Sequence, residues 1–160
     1  MIVLVRIDDR LIHGQVVVGW VNEVKANHIV VANDNIARDE TYKSLMEIAV
    51  PRSVKVSFFN IDEASEKLQD NEMDKQKILL LVNNPDDLLT MVKKGLMLKS
   101  INVGGMRFSR GKKEILKSVY VNNKDIEAFK KLSALGIEIE GRATPTDKML
   151  DIICLLKKKC

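Results

Sequence analysis

Short apolar runs alternate with helically spaced apolar positions from one end of the chain to the other. Residues 2–7 (Ile-Val-Leu-Val-Arg-Ile), 28–33, 53–59, 77–82, 100–104, 118–121 and 137–140 read as strands. Between them, residues 15–26, 38–50, 62–70, 86–96, 123–135 and 146–157 carry helical spacing. Val16, Val17, Trp20, Val21 and Val24 share one face of the first of these. Pro85 opens the fourth helix and Gly136 stops the fifth. Strand and helix in steady alternation predict an α/β fold: a single doubly wound domain, its central sheet mostly parallel, with helices on both faces. The first and fourth strands are nearly unbroken apolar runs, as central strands buried on both faces are. Residues 137–140 (Ile-Glu-Ile-Glu) alternate, which predicts a half-exposed edge strand.

Composition narrows the picture. The chain has 160 residues, 46% hydrophobic and 30% charged. That predicts one globular domain over residues 1–160 and excludes a disordered chain. No apolar run approaches the ~20 residues that span a bilayer. Met1–Arg6 lacks the basic leader and the length of a signal peptide, so a cytoplasmic location is expected. Cys154 and Cys160 have no partners at metal-ligand spacing and form no disulfide framework. The net charge of +4 is mild. Lys157, Lys158 and Lys159 suit the negative end of a final helix. Aromatic residues make up 4%, too few for base stacking, and nucleic acid is not an expected partner.

In open α/β sheets ligands bind beyond the carboxyl ends of the strands. After the first strand comes Arg6-Ile-Asp-Asp-Arg-Leu-Ile-His-Gly-Gln-Val16. A neutral histidine presents a nitrogen lone pair, so His13 is a candidate nucleophile. The helix start that follows offers unpaired N–H groups to an anion, with Gly14 and Gln15 as backbone donors. Arg10 is the first candidate to neutralise a phosphoryl group, and Arg6 either reaches that phosphate or pairs with Asp8. Asp8 or Asp9 orients the ring while the other shapes the turn, and Asp8 is favoured as the orienter. Together these residues suit a histidine that accepts and passes on a phosphoryl group, chemistry that needs mainly positioning and charge stabilisation. No cofactor and no metal is implied.

The stretch Val5–Val16 resembles the active-site signature of the IIB components of the mannose/fructose/sorbose family of the bacterial sugar phosphotransferase system. Ile29–Asp34, Ile101–Met106 and, more weakly, Arg142–Asp147 extend the resemblance over most of the chain. It implies a phosphocarrier that takes a phosphoryl group from a IIA phosphohistidine onto Nδ1 of His13. The group then passes to the hydroxyl of a sugar entering through the membrane components IIC and IID. It also implies a cytoplasmic protein peripherally associated with that permease. This family uses histidine where other IIB groups use cysteine.

Other positions have two readings. The basic loop 104–113 either completes a phosphate cradle, docks an acidic IIA surface or is merely solvated. Leu11, Ile12, Met106 and Phe108 are candidates for an apolar docking rim. Asp34 and Asp39 either rim the site or cap helices. Thr144 could approach the phosphate, and Thr146 is a candidate N-cap for the last helix. His28 begins a strand, at the wrong end for the site, and Trp20 reads as core. Two other functions compete. A receiver-type signalling domain also carries an acidic pair after its first strand, but its acceptor aspartate should follow the third strand, where Asn60-Ile-Asp62 fits poorly. A catalytically silent phosphate-binding regulator is the other, and the intact His13 motif argues against it.

Overall fold

A computed structural model describes residues 1–159; Cys160 and the side chain of Lys159 lie outside the described residues. The strands are β1 (Ile2–Asp8), β2 (His28–Ala32), β3 (Lys55–Phe59), β4 (Ile78–Val82), β5 (Ser100–Gly105), β6 (Lys113–Leu116), β7 (Val119–Val121), β8 (Glu138–Gly141) and β9 (Leu150–Asp151). The helices are α1 (Gly14–Val24), α2 (Glu40–Ile48), α3 (Ile61–Lys67), α4 (Pro85–Lys93), α5 (Asn123–Ala134) and α6 (Ile152–Lys159). Seven strands form one sheet in the order β3-β2-β4-β1-β5-β8-β9, and β6 and β7 form a separate hairpin. Every pairing in the large sheet is parallel except β8 with β9.

The strand sequences explain the two cores. In β2 and β4 all five residues are buried. Alternate side chains leave on opposite faces. Val30, Ala32, Ile78, Leu80 and Val82 join one cluster with Leu88, Phe129 and Leu156 of α4, α5 and α6. Ile29, Val31, Leu79 and Leu81 join the other with Val17, Trp20 and Val21 of α1 and Met46 of α2. Helices therefore cover both faces.

Three expectations are corrected. The strand at 137–140 is not an edge, because β9 pairs antiparallel beyond it, Gly141 opposite Leu150 and Glu140 opposite Asp151. The last helix begins at Ile152, not at 146. The intervening residues instead make an arm across the sheet end and then β9, and Asp151 Oδ1 accepts from the N–H of Cys154 at the helix start, so Thr146 is no cap. Lys113, read as the end of a loop, instead begins a strand, Lys113–Leu116, which pairs antiparallel with Val119–Val121, with Ser118 turning the hairpin at φ 67°.

Most helix starts are closed by a side chain. Asn60 accepts from the N–H of Glu63 at 2.8 Å, and Asn84 and Asn122 do the same for Asp87 and Asp125. Asp39 accepts from Tyr42, while Asp34 accepts from the N–H of Ile61. Asp34 and Asp39 are thus the caps they could have been. At α1 the N-cap residue is His13, and its side chain makes no capping bond. Among the described residues no side chain caps the first N–H groups of α1, although such a cap is typically worth ~1 kcal/mol.

Candidate active site

The chain leaves β1 toward β2 on one side of the sheet and leaves β5 toward β8 on the other, so the ends of β1 and β5 bound the crevice where ligands of such sheets bind. Asp8 ends β1 opposite Gly105 of β5. A tight turn follows, with the N–H of Leu11 donating to the Asp8 carbonyl at 2.8 Å and Leu11 at φ 56°. This left-handed residue, uncommon outside glycine, turns Leu11 and Ile12 into the core beside Trp20. This corrects the expectation that they form an exposed apolar docking rim. Met106 is likewise buried, whereas Phe108 is 66% exposed.

Asp8 organises what surrounds it. Its side chain is fully buried and its two oxygens accept five hydrogen bonds. Oδ2 accepts from His13 Nε2 at 2.8 Å, Arg6 Nη2 at 3.0 Å and Arg10 Nη2 at 3.3 Å. Oδ1 accepts from the backbone N–H and the Nε of Arg10, both at 3.1 Å. Burial alone would raise the Asp8 pKa, but the bonds from His13 and Arg10 outweigh it and hold the carboxyl well below the ordinary carboxylate range. Asp8 is therefore ionised at neutral pH and can only accept. In the neutral imidazole, Nε2 is then the nitrogen that carries the proton, which leaves the lone pair on Nδ1. The His13 side chain is 21% exposed and Arg10 is 45% exposed.

Arg6 stands behind this group, 1% exposed. Nη1 donates to Asn102 Oδ1 at 2.6 Å and to the Arg142 carbonyl at 3.0 Å; Nη2 donates to Asp8 and to the Ala143 carbonyl, each at 3.0 Å. Burial lowers its pKa while the Asp8 charge opposes that change. With both terminal nitrogens spent, Arg6 has the surroundings of a support for Asp8 and not of a phosphate contact, which was the other expectation for it. Two guanidiniums lie over the Trp20 ring, Arg6 at 5.3 Å and Arg142 at 5.1 Å from its centroid. Its indole N–H donates to the Ala143 carbonyl at 3.1 Å. Arg142 pairs in turn with Glu140 at 3.0 Å.

Room for Arg6 depends on a glycine. The register skips a residue between Ile7–Val103 and Asp8–Gly105, leaving Gly104 in the bulge. A Cβ there would stand 2.0 Å from Arg6 Cζ. The guanidinium is bonded on four sides and has nowhere to go. Gly104→Ala is expected to cost about 3 kcal/mol, at the upper end for overpacking. Thermal unfolding checks this, and an unchanged melting temperature would contradict it.

Of the residues singled out in the sequence, the fold brings His13, Asp8, Arg10, Gly14 and Gln15 to one strand end. The sequence reading did not single out Asn102 or the carbonyls at 142–143, which bond Arg6. Asn102 had a usable signal, a polar residue inside a buried strand; the carbonyls had none. Thr144 Oγ1 lies 3.3 Å from Thr146 Oγ1, and the Thr144 N–H donates to Asp147. His28 is buried between Ser57 and Gln76 at the opposite end of the sheet, as expected. The receiver alternative needs a third-strand aspartate beside Asp8, but β3 is an outer strand separated from β1 by β2 and β4, and Asp62 pairs with Lys94 instead.

Fold and site thus define a doubly wound α/β protein built around a carboxylate-held histidine at the head of an open helix. The family model for the sorbose-subfamily IIB component of the sugar phosphotransferase system matches residues 2–160. The chain belongs to that family, whose general role is phosphoryl transfer in sugar uptake. It is 38% identical over 156 residues to a fructose-specific EIIB component of Bacillus subtilis, covering 98% of this chain and 96% of that one. It is 42% identical over 155 residues to an N-acetylgalactosamine-specific IIB component 2 of Escherichia coli, covering 97% and 98%. The crystal structure of the IIBSor domain of the sorbose permease from Klebsiella pneumoniae superposes with a TM-score of 0.96 at 34% identity, covering 100% of this chain and 98% of that one.

Proposed function

We propose that the chain is a cytoplasmic phosphocarrier that takes a phosphoryl group from a IIA phosphohistidine onto His13 Nδ1 and gives it to a sugar hydroxyl at the IIC/IID permease. The observation that carries this reading is the bond from His13 Nε2 to the buried, ionised Asp8. It leaves Nδ1 as the nucleophile beside the uncapped start of α1. In the first transfer the N–P bond of the donor histidine breaks as the Nδ1–P bond forms. Asp8 keeps the Nε2 proton in place and stabilises the charge that the ring gains. In the second, the sugar oxygen attacks phosphorus, the Nδ1–P bond breaks, and the hydroxyl proton is released.

Gly14 and Gln15 supply backbone N–H groups to the phosphoryl oxygens. Arg10 supplies the cation, since its Nη1 is not used by Asp8 while Nε and Nη2 hold it in place. Arg6 and Trp20 position Asp8. Arg10→Ala is expected to slow transfer by about 10²–10³-fold, or ~3–4 kcal/mol of barrier, as loss of an anion-stabilising donor does. Rapid-quench transfer from a phosphorylated IIA protein checks this, and an unchanged rate would move the role to the loop after β5.

No helix among the described residues is long and apolar enough to cross a membrane, so delivery to the sugar requires docking on the permease. Membrane vesicles carrying IIC and IID components of this family, supplied with a phosphorylated IIA protein, are expected to form sugar phosphate only when the chain is added. Equal sugar phosphate without the chain would sink the proposal.

A further inference from the structure

Next to Asp8 stands a second carboxylate whose bonds lead away from His13. Asp9 Oδ2 accepts from the backbone N–H of Arg107 at 2.7 Å and from Arg107 Nε at 3.2 Å. The N–H of Asp9 donates to the Gly105 carbonyl at 3.0 Å. Arg107 opens the loop between β5 and β6. On its far side that loop is anchored to the β6–β7 hairpin and to α5. Met106 exchanges backbone bonds with Ser118 and Tyr120 at 2.9 and 2.8 Å. The Phe108 ring meets Tyr120 edge-on at 5.5 Å, and Lys112 pairs with Asp125 at 3.5 Å. On the near side, among the described residues, Asp9 makes the only side-chain hydrogen bonds that join residues 107–111 to the segment 8–15.

We propose that Asp9 is a positioning residue that fixes the main chain of loop 107–111 beside His13, so that the phosphoryl-donor protein meets histidine and loop as one preset surface. This rests on the phosphocarrier reading above. A carboxylate bonded to a backbone N–H holds the path of the loop and not merely one side chain. The loop presents an exposed apolar ring, Phe108, and an exposed cation, Arg110. Such a surface suits an apolar patch ringed by carboxylates on the donor. A loop already in place spares the donor the entropy of ordering it. The neighbouring aspartates thus divide the work: Asp8 holds the reacting ring, and Asp9 holds the surface through which the donor arrives.

The tie runs through the backbone of Arg107, which separates the effects of substitution. Transfer from a phosphorylated IIA protein of a fructose- or sorbose-type system is measured over a range of donor concentrations. Asp9→Ala is expected to raise KM for the donor about tenfold with kcat within about twofold of wild type, the signature of lost binding. Asp9→Asn, whose amide oxygen still accepts from the same N–H, recovers most of the loss. Arg107→Ala keeps that N–H and stays within about twofold of wild type. Amide exchange at position 107, measured without any donor, is expected to speed up in Asp9→Ala and to stay slow in Arg107→Ala.

A fall in kcat at constant KM would overturn the proposal, because Asp9 would then act on His13. So would Arg107→Ala matching Asp9→Ala, or unchanged protection at position 107 in Asp9→Ala. If the wild-type chain takes no phosphate from any donor, the phosphocarrier reading fails, while amide exchange still decides whether Asp9 holds the loop.

Discussion

Asp8→Ala is expected to lower folding stability by about 3–5 kcal/mol, the usual consequence of stranding one partner of a buried ion pair, and to stop phosphoryl transfer. The stranded partner is Arg6, 1% exposed and always charged. Its bonds to Asn102 and to the carbonyls at 142 and 143 would remain, but no negative charge would face it inside the core. Arg10 and His13 would lose their anchor at the same time. Urea unfolding checks the first part and a transfer assay the second. Asp8→Asn separates them, since it preserves volume while losing the charge. It should retain more stability than alanine and still fail in transfer, because a neutral amide holds the Nε2 proton poorly.

The same group sets an acid limit. The Asp8 pKa is lower folded than unfolded, so its contribution is complete above the unfolded carboxylate value. It is lost as pH falls from there toward the folded value. Wild type should therefore become less stable below about pH 4. The Asp8→Asn variant should show a shallower decline over that range, and parallel declines would contradict the assignment.

His13→Ala is expected to abolish phosphoryl acceptance while costing about 1–2 kcal/mol of stability at most, the scale of one charge-assisted hydrogen bond. Two observations separate function from folding here. His13 is partly exposed and contributes no cap to α1, and Asp8 keeps both arginine partners when the ring is gone. Circular dichroism and thermal unfolding should thus be close to wild type, with the transfer rate at background. Residual acceptance in this variant would place the phosphoryl group on another residue.

The order of the elements was legible because burial leaves a local trace. β4 reads as an unbroken apolar run and is buried on both faces, while β1, read the same way, is buried from Val5 to Asp8 and only half-buried from Ile2 to Leu4. The strand after α5 was legible as a strand but not as an interior one. Its neighbour β9 is two residues long and follows an eight-residue excursion, 142–149, whose last residues carry the spacing of a helix. Leu11 and Ile12 looked like an exposed apolar rim because nothing in the sequence announces φ 56° at a leucine.

The site divides in the same way. His13, Asp8, Arg10, Gly14 and Gln15 lie in one contiguous stretch. The fate of Arg6 is decided by Asn102, by two carbonyls near residue 142 and by the absence of a Cβ at Gly104, all of them distant in sequence. Those contacts exist only once β1, β5 and β8 lie side by side.

The most direct test of the account is the site and atom of phosphorylation. The chain is incubated with phosphoenolpyruvate, the general phosphocarriers and a matching IIA protein. The acid-labile phosphate is then located by peptide mass spectrometry, and the ring nitrogen is identified by nitrogen-15 NMR of labelled histidine. The account predicts phosphate on His13 at Nδ1, the nitrogen that Asp8 leaves free. Phosphate on Nε2, on any other residue, or on none would contradict it.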